Sequence, residues 1–522
     1  MTTKKNINFS YIFQNTLMNN PKKMAFIEID GTNIRTRSFL ELDNNINKVA
    51  SYFSSQNLKI GNKIAIAIGN RIEFVESLLG IIRAGFVPVP LNYKLGKVAL
   101  NHILSDANCQ AIIFEEDINK DIPTLAQDCL IKLKVSLNPS EDDVMAYEEI
   151  MTRSGNSQPP NIEDGDMAML PYTSGSTGNP KGVQLTHAGQ NWFVNNIISF
   201  LPEIYHSDAR ALVAVPLFHK NAMAGAIKPL LKVGGTVVLM RKFDAKNFLK
   251  ALSDYKCTYS TGVPAMYSLL LEERDLISQN DYSHLEYLAI GSAPCAPALI
   301  EEIGLRFKAR VIQGYGLTEG GPVVFEQPAN DPTAPVESCG KLLPEIEVKF
   351  KDMDGSPHPT KGELWVKNKG VTPGYYNLPE VNKTRLIDGW LATGDLFKVD
   401  DDGYYYFLGR TDDLMISGGE NIYPAEVEKI LMRHKDVLNI CVTSLPHKIK
   451  GEVPGAMLVM ASSSDLTEEG LKKFFLENGP AYAHPRLISI VSEMPLSGTG
   501  KIDRAQVSMT LKNIWATREN VA

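Results

Sequence analysis

Twelve consecutive residues, Tyr172-Thr-Ser-Gly-Ser-Thr-Gly-Asn-Pro-Lys-Gly-Val183, concentrate groups that bind phosphate. Three glycines, four serine or threonine residues and one lysine fall within them. Glycine has no Cβ and tolerates positive φ, so backbone N–H groups at Gly175 and Gly178 can turn toward one anion. Thr173, Ser174, Ser176 and Thr177 add hydroxyl donors, and Lys181 places a positive charge at the far end. The usual P-loop is excluded, because it ends in Gly-Lys-Ser/Thr and opens a helix. Here Pro180 precedes Lys181 and Gly182 follows it. On these residues alone, a polyphosphate cradle and a plain polar surface loop stand level.

Three further stretches carry chemistry. Gly314-Tyr-Gly-Leu-Thr-Glu319 combines an aromatic face suited to a base, a hydroxyl suited to a phosphate oxygen and a carboxylate suited to Mg²⁺. Thr393-Gly-Asp395 offers a carboxylate whose two oxygens can accept from both hydroxyls of a ribose, although an Asp after Gly also suits a simple turn. Pro495-Leu-Ser-Gly-Thr-Gly-Lys-Ile-Asp-Arg504 presents Lys501 on a glycine-rich lead.

The elements that must position these groups alternate between strand and helix. Ser38 and Glu41 form a capping box, after which Phe39, Leu42, Ile46, Val49, Ala50 and Phe53 recur at helical spacing. Short apolar strands are expected over 64–68, 86–90, 211–215, 236–240, 285–290 and 311–312, with helices over 72–84, 187–198 and 220–231. Such alternation implies layered α/β structure with parallel strands. The loops at Pro216-Leu-Phe-His219, at Gly291-Ser-Ala-Pro294 and at 313–319 then sit at strand C-terminal ends, the edge where open α/β sheets bind ligands. Gly291, Ser292 and Ala293 are candidates on that ground. From about residue 340 short strands with Gly/Pro turns predict a small β-rich subdomain. Gly409-Arg-Thr-Asp-Asp413 marks a boundary, and a compact α+β unit follows. The expected organisation is a large N-terminal domain over 1–408, a hinge over 409–413 and a small, mobile C-terminal domain over 414–522.

Together these stretches resemble the signatures of the adenylate-forming superfamily, which includes acyl-CoA synthetases, luciferases and amino-acid adenylation domains. The 172–183 stretch is similar to its phosphate loop at every motif position. The resemblance continues through 314–319, through Thr393-Gly-Asp395, through Gly409-Arg-Thr-Asp-Asp-Leu-Met-Ile-Ser-Gly-Gly-Glu-Asn-Ile-Tyr-Pro-Ala-Glu-Val-Glu428 and through the terminal lysine motif, in family order from about residue 10 to 510. It implies that Gly314, Tyr315 and Gly316 meet the nucleotide, Thr318 a phosphate, Glu319 the magnesium ion and Asp395 the ribose. It further implies that Arg410 contacts the nucleotide, Asp412 is the hinge, Gly419 belongs to the edge that lines a pantetheine tunnel, and Lys501 bridges the substrate carboxylate and the α-phosphate. His219 stands where amino-acid adenylation domains carry an Asp that grips an ammonium, so the resemblance points away from α-amino acids and toward an acyl entrance at His219.

The implied activity is ATP-dependent ligation. A carboxylic acid is activated as acyl-adenylate with release of pyrophosphate, and the acyl group then passes to CoA as a thioester. Tyr482-Ala-His-Pro-Arg486 has Ala483 where many CoA ligases have lysine. Transfer to an amine or amino acid, as in coronafacate-type ligases, or loading of a carrier protein is the alternative.

Bulk composition fits. With 522 residues there is room for a large domain and a small one, and 44% apolar with 22% charged residues is ordinary for a globular protein. A net charge of −7 argues against a nucleic-acid partner. The six scattered cysteines form no Cys-x-x-Cys, so neither a zinc site nor a disulfide framework is expected. The N-terminus shows no signal-peptide core and no transmembrane segment is expected, which together suggest a cytoplasmic enzyme.

Overall fold

The computed structural model describes residues 7–140, 143–155, 158–173, 179–291, 295–461, 464–496 and 502–519. Two largely parallel sheets build the N-terminal region. One runs Val87–Pro90, Lys63–Ala67, Cys109–Phe114, Leu133–Ser136, Met145–Ala146, parallel throughout. The other has nine strands in the order Lys341–Leu342, Phe325–Glu326, Arg310–Tyr315, Tyr287–Ile290, Tyr259–Gly262, Arg210–Val213, Thr236–Met240, Met24–Asp30, Asn33–Ser38. Its strands are parallel from Arg310–Tyr315 to Met24–Asp30 and antiparallel at both edges. Parallel strands need crossover connections that cover the sheet faces, which is why a strand such as Thr236–Met240 is apolar in nearly every position and buried at all of them.

The helix Phe39–Ser54 is closed at its start by the reciprocal Ser38–Glu41 hydrogen bonds, worth about 1 kcal/mol. Its six periodic apolar residues are all fully buried. The helix expected over 220–231 is interrupted: a helical turn Lys220–Ala222 passes into a π-helical turn Met223–Ile227 before Lys228–Val233 resumes. π-turns insert an extra residue into the ladder and gather at functional sites. The strand expected at 311–312 is longer, because Gly314 and Tyr315 pair antiparallel with Glu326 and Phe325. Two of the nucleotide-site candidates therefore lie on a strand, where their orientation is fixed by sheet register.

The β-rich unit is a six-stranded antiparallel sheet centred on Lys361–Lys367 and Trp390–Val399, with Tyr405–Arg410 paired to the latter. Gly409 and Arg410 thus close a strand, and Thr411–Asp413 forms a 3-10 turn after it. Beyond lies a five-stranded sheet that includes Val437–His447, Gly451–Met460 and Leu487–Val491. Helices Pro424–Leu431, Glu468–Asn478 and Arg504–Glu519 pack on it around apolar clusters of their own. The chain is thus a mixed α/β protein with a large N-terminal and a small C-terminal domain. No helix among the described residues is long and apolar enough to cross a membrane.

Candidate active site

Three segments far apart in sequence meet around the Glu319 carboxylate. Thr173 and Lys181 face each other across a short antiparallel ladder. Thr173 Oγ1 donates to Glu319 Oε1 at 3.4 Å and the Tyr375 hydroxyl donates to the same oxygen at 3.1 Å. Lys181 Nζ stands 5.9 Å from the Tyr375 ring centre. The backbone of Glu319 is held by the Thr372 N–H, 2.8 Å from its carbonyl oxygen. Thr318 lies half-buried in the same turn. The donors gathered here are a carboxylate, hydroxyls and an ammonium, a hard-oxygen set that suits Mg²⁺ and phosphate. Among the described residues no group of three or more His, Cys, Asp or Glu side chains could hold a metal ion.

A second cluster forms on the β-rich sheet. Asp395 pairs in register with Arg410, and the Arg410 guanidinium lies 3.1 Å from Asp395 Oδ1. The Tyr315 hydroxyl donates a short hydrogen bond to Asp395 Oδ2. Asp395 is buried, and that burial pushes its carboxyl group above the ordinary Asp value although Arg410 and Tyr315 both pull it back. Tyr315 is raised well above the tyrosine range, first by burial and then by Asp395. Phe325 and Phe397 pack on the Tyr315 ring. Gly316 must be glycine, since a Cβ there would lie 1.9 Å from the Pro322 carbonyl oxygen.

The opposite face of the same strand is lined by different residues. Sheet register puts Thr261, Ala289, Ile312 and Gly314 on one face, and Glu326, directly across from Gly314, shares it. The π-turn covers this face. Thr261 Oγ1 donates to Asn221 Oδ1 at 2.6 Å, and a Cβ built on Gly225 or Gly291 would come no closer than 3.6 Å to any neighbour. His219 is half-buried and sits at the start of the Lys220–Ala222 turn, next to Phe218, whose ring packs edge-on against Tyr93 at 5.2 Å. Lys220 Nζ donates to the carbonyl oxygens of Gly316 and Pro322, tying the turn to the Gly314–Glu319 segment.

The structure thus brings together Thr173, Lys181, Thr318 and Glu319 at one end, Tyr315, Asp395 and Arg410 at the other, and His219, Gly291, Gly314 and Gly316 between. Two expected residues stand apart. Asp412 is exposed on the 3-10 turn, and Gly419 lies in the tight hairpin between Met415–Ser417 and Glu420–Ile422, with nothing within 4 Å of a Cβ built on it. Gly418 and Gly419 both have positive φ, 59° and 93°, as a two-residue hairpin of this kind requires. Ser174, Gly175, Ser176, Thr177, Gly178, Ser292, Ala293 and Lys501 lie outside the described residues. Next to Lys501, Arg504 bonds Glu428 at 2.9 Å, the Val442 carbonyl oxygen at 2.6 Å, and approaches Asp413 at 3.6 Å. Tyr375, Thr261 and Glu326 were not singled out from the sequence. Each lies among apolar or turn residues with no motif around it, and only pairing across strands brings them to the site.

This pattern, phosphate-suited and ribose-suited groups gathered near the C-terminal ends of parallel strands with a small domain following in the chain, is that of an adenylating enzyme. Residues 13–376 match the family described as AMP-binding enzyme, and residues 426–501 match its C-terminal domain. A feruloyl-CoA synthase from Amycolatopsis sp is 33% identical over 475 residues, covering 90% of this chain and 93% of that protein. ATP-bound MatB from Rhodopseudomonas palustris superposes with a TM-score of 0.88 at 25% identity, over 98% of this chain and 100% of that one. The anthranilate CoA ligase AuaEII, solved with anthranoyl-AMP, also gives a TM-score of 0.88 at 25% identity, over 98% of both chains. The chain belongs to the AMP-binding enzyme family of the adenylate-forming superfamily, and it is an AMP-forming acid ligase.

Proposed function

We propose that this ligase activates a carboxylic acid at the α-phosphate of ATP and hands the acyl group to CoA. In the first half-reaction a carboxylate oxygen attacks the α-phosphorus. The bond to the β-phosphate oxygen breaks, leaving acyl-adenylate and pyrophosphate. In the second, the CoA thiolate attacks the acyl carbon and AMP leaves with its phosphate oxygen. The observation that carries the reading is the spacing of two clusters along one strand edge: Thr173, Lys181 and Glu319 for the polyphosphate, and Tyr315, Asp395 and Arg410 for base and ribose.

Asp395 accepts from the ribose hydroxyls in this reading, and Arg410 holds that carboxylate ionised. Glu319 would hold a magnesium ion, which when bound offsets phosphate charge. Lys501 stabilises the charge that builds between carboxylate and α-phosphate. The unit 414–522 is the lid and 409–413 its hinge. Rotation about Asp412 brings the Gly418–Gly419 hairpin over the groove for the second half-reaction. CoA as acceptor is supported by the thioester-forming activities named for the feruloyl and anthranilate ligases. The six cysteines are all free thiols, which suits a reducing cytoplasm.

The test is a panel of aryl, fatty and cyclic acids with MgATP, read first as acid-dependent pyrophosphate release and then by mass spectrometry with CoA or an amine mixture present. An acyl-CoA product is expected. An acyl-amide without thioester would move the enzyme to the amide-forming branch and overturn CoA as acceptor.

A further inference from the structure

Glu326 lies on the face of the large sheet that also carries Thr261, Ala289 and Ile312, opposite to the Tyr315 ring. Its carboxyl group occupies the space that a side chain at 314 would fill: a Cβ built on Gly314 would lie 2.1 Å from Glu326 Oε2. The residue keeps part of its surface open although it sits in the middle of the protein, among Tyr205, Tyr259 and Cys339. Glycine at 225, 291 and 314 keeps side chains off this stretch of the face, and the Thr261–Asn221 hydrogen bond ties the segment that leads into the π-turn to it.

Among the described residues no side chain hydrogen-bonds to this carboxyl group; the Gln327 N–H and the more distant Lys220 charge are what favour its ionised form. Lys220 is already engaged with the Gly316 and Pro322 carbonyls. A carboxyl group left this way is expensive to keep unless something completes its hydrogen bonding. Burial accordingly pushes it up to about 8, against the smaller pull of the Gln327 N–H and Lys220.

We propose that Glu326 is a specificity residue of the acid pocket, whose carboxyl group receives a hydrogen-bond donor, a hydroxyl or amino group, carried by the substrate at the end remote from its reacting carboxylate. The substrate class is then a hydroxy- or amino-substituted carboxylic acid rather than a purely hydrocarbon one. This rests on the acid-ligase reading above and deepens it. Directly across the strand, glycine at 314 is what leaves room for the Glu326 carboxyl group itself. A site built around a buried polar group rejects an analogue that leaves the group unpaired far more strongly than an apolar pocket rejects a missing methylene.

The experiment uses the full-length enzyme with matched cinnamic and straight-chain acids that end in methyl, hydroxyl or amino, and reads kcat/KM from pyrophosphate release. The hydroxyl or amino member is expected to exceed the methyl member by at least about tenfold. Glu326→Leu should reverse that order while still activating the methyl acid. Glu326→Gln, a near-isostere that secures folding, keeps an acceptor oxygen and should keep the preference for the hydroxyl member. An unchanged ratio in Glu326→Leu, or a hydroxyl preference lost in Glu326→Gln, would overturn the proposal and leave the ligase reading intact. Bound ATP with no acid-dependent pyrophosphate from any member would instead overturn the ligase reading on which it depends.

Discussion

Tyr315 and Gly314 are neighbours on one strand, yet they look onto surroundings of opposite kind. On the Tyr315 face every charge is matched. Asp395 has Arg410 and the Tyr315 hydroxyl, and aromatic rings of Phe325 and Phe397 pack behind. On the Gly314 face the nearest carboxyl group, Glu326, has no side-chain donor among the described residues. One face has its carboxylate partnered within the protein, and the other, on the proposal above, has it partnered by ligand. The lesson is that two environments of opposite kind can share a single strand, because successive side chains point to opposite faces.

Changing pH should separate the faces most. Glu326 is raised from its ordinary value of 4.5 to about 8, so the folded state retains a proton that the unfolded chain loses. Stability should fall as pH rises from about 4.5 to 8 and be flat beyond, by at most about 5 kcal/mol. Glu326→Gln should remove that slope in urea melts at a series of pH values; equal slopes would show that the carboxyl group is already satisfied. Asp395→Ala comes next. It strands the Arg410 charge and the ribose together, and about 3 kcal/mol should appear as roughly a hundredfold lower kcat/KM for ATP. The acid preference should stay as in the parent; a shift in it would mean the faces are coupled. Tyr315→Phe is the smallest change. Losing one hydrogen bond to a partnered carboxylate should cost about 1 to 2 kcal/mol of stability, read as a lower melting temperature, with KM for ATP changed less than in Asp395→Ala.

Legibility in the sequence followed the same divide. The nucleotide-side candidates stood out because each is a compact motif, Thr393-Gly-Asp395 and Gly314 to Glu319, although their partners Arg410, Thr173 and Tyr375 come from elsewhere in the chain. The two domains and the parallel layers were readable from apolar strand runs, such as 236–240, alternating with helices. The acid side was not. Glu326 sits twelve residues beyond Gly314 with no motif around it, and Thr261 and Tyr375 lie farther still. Their meeting is a matter of strand register, which composition does not announce. The broken helix at Met223–Ile227 was hidden for a similar reason, since helical and π-helical turns share the same apolar spacing over so short a stretch.

Arg504 ties the final helix to the chain just past Asp412, through Asp413 and Glu428. In mechanical terms this is a clamp: it fastens the start of the final helix both to the segment that leads in from the β-rich sheet and to the first helix of the C-terminal domain. Pieces of the chain about 75 to 90 positions apart, the span of the Arg504 pairs with Glu428 and Asp413, are thereby joined into one body. Loosening the clamp would let the final helix slide on the sheet it packs against.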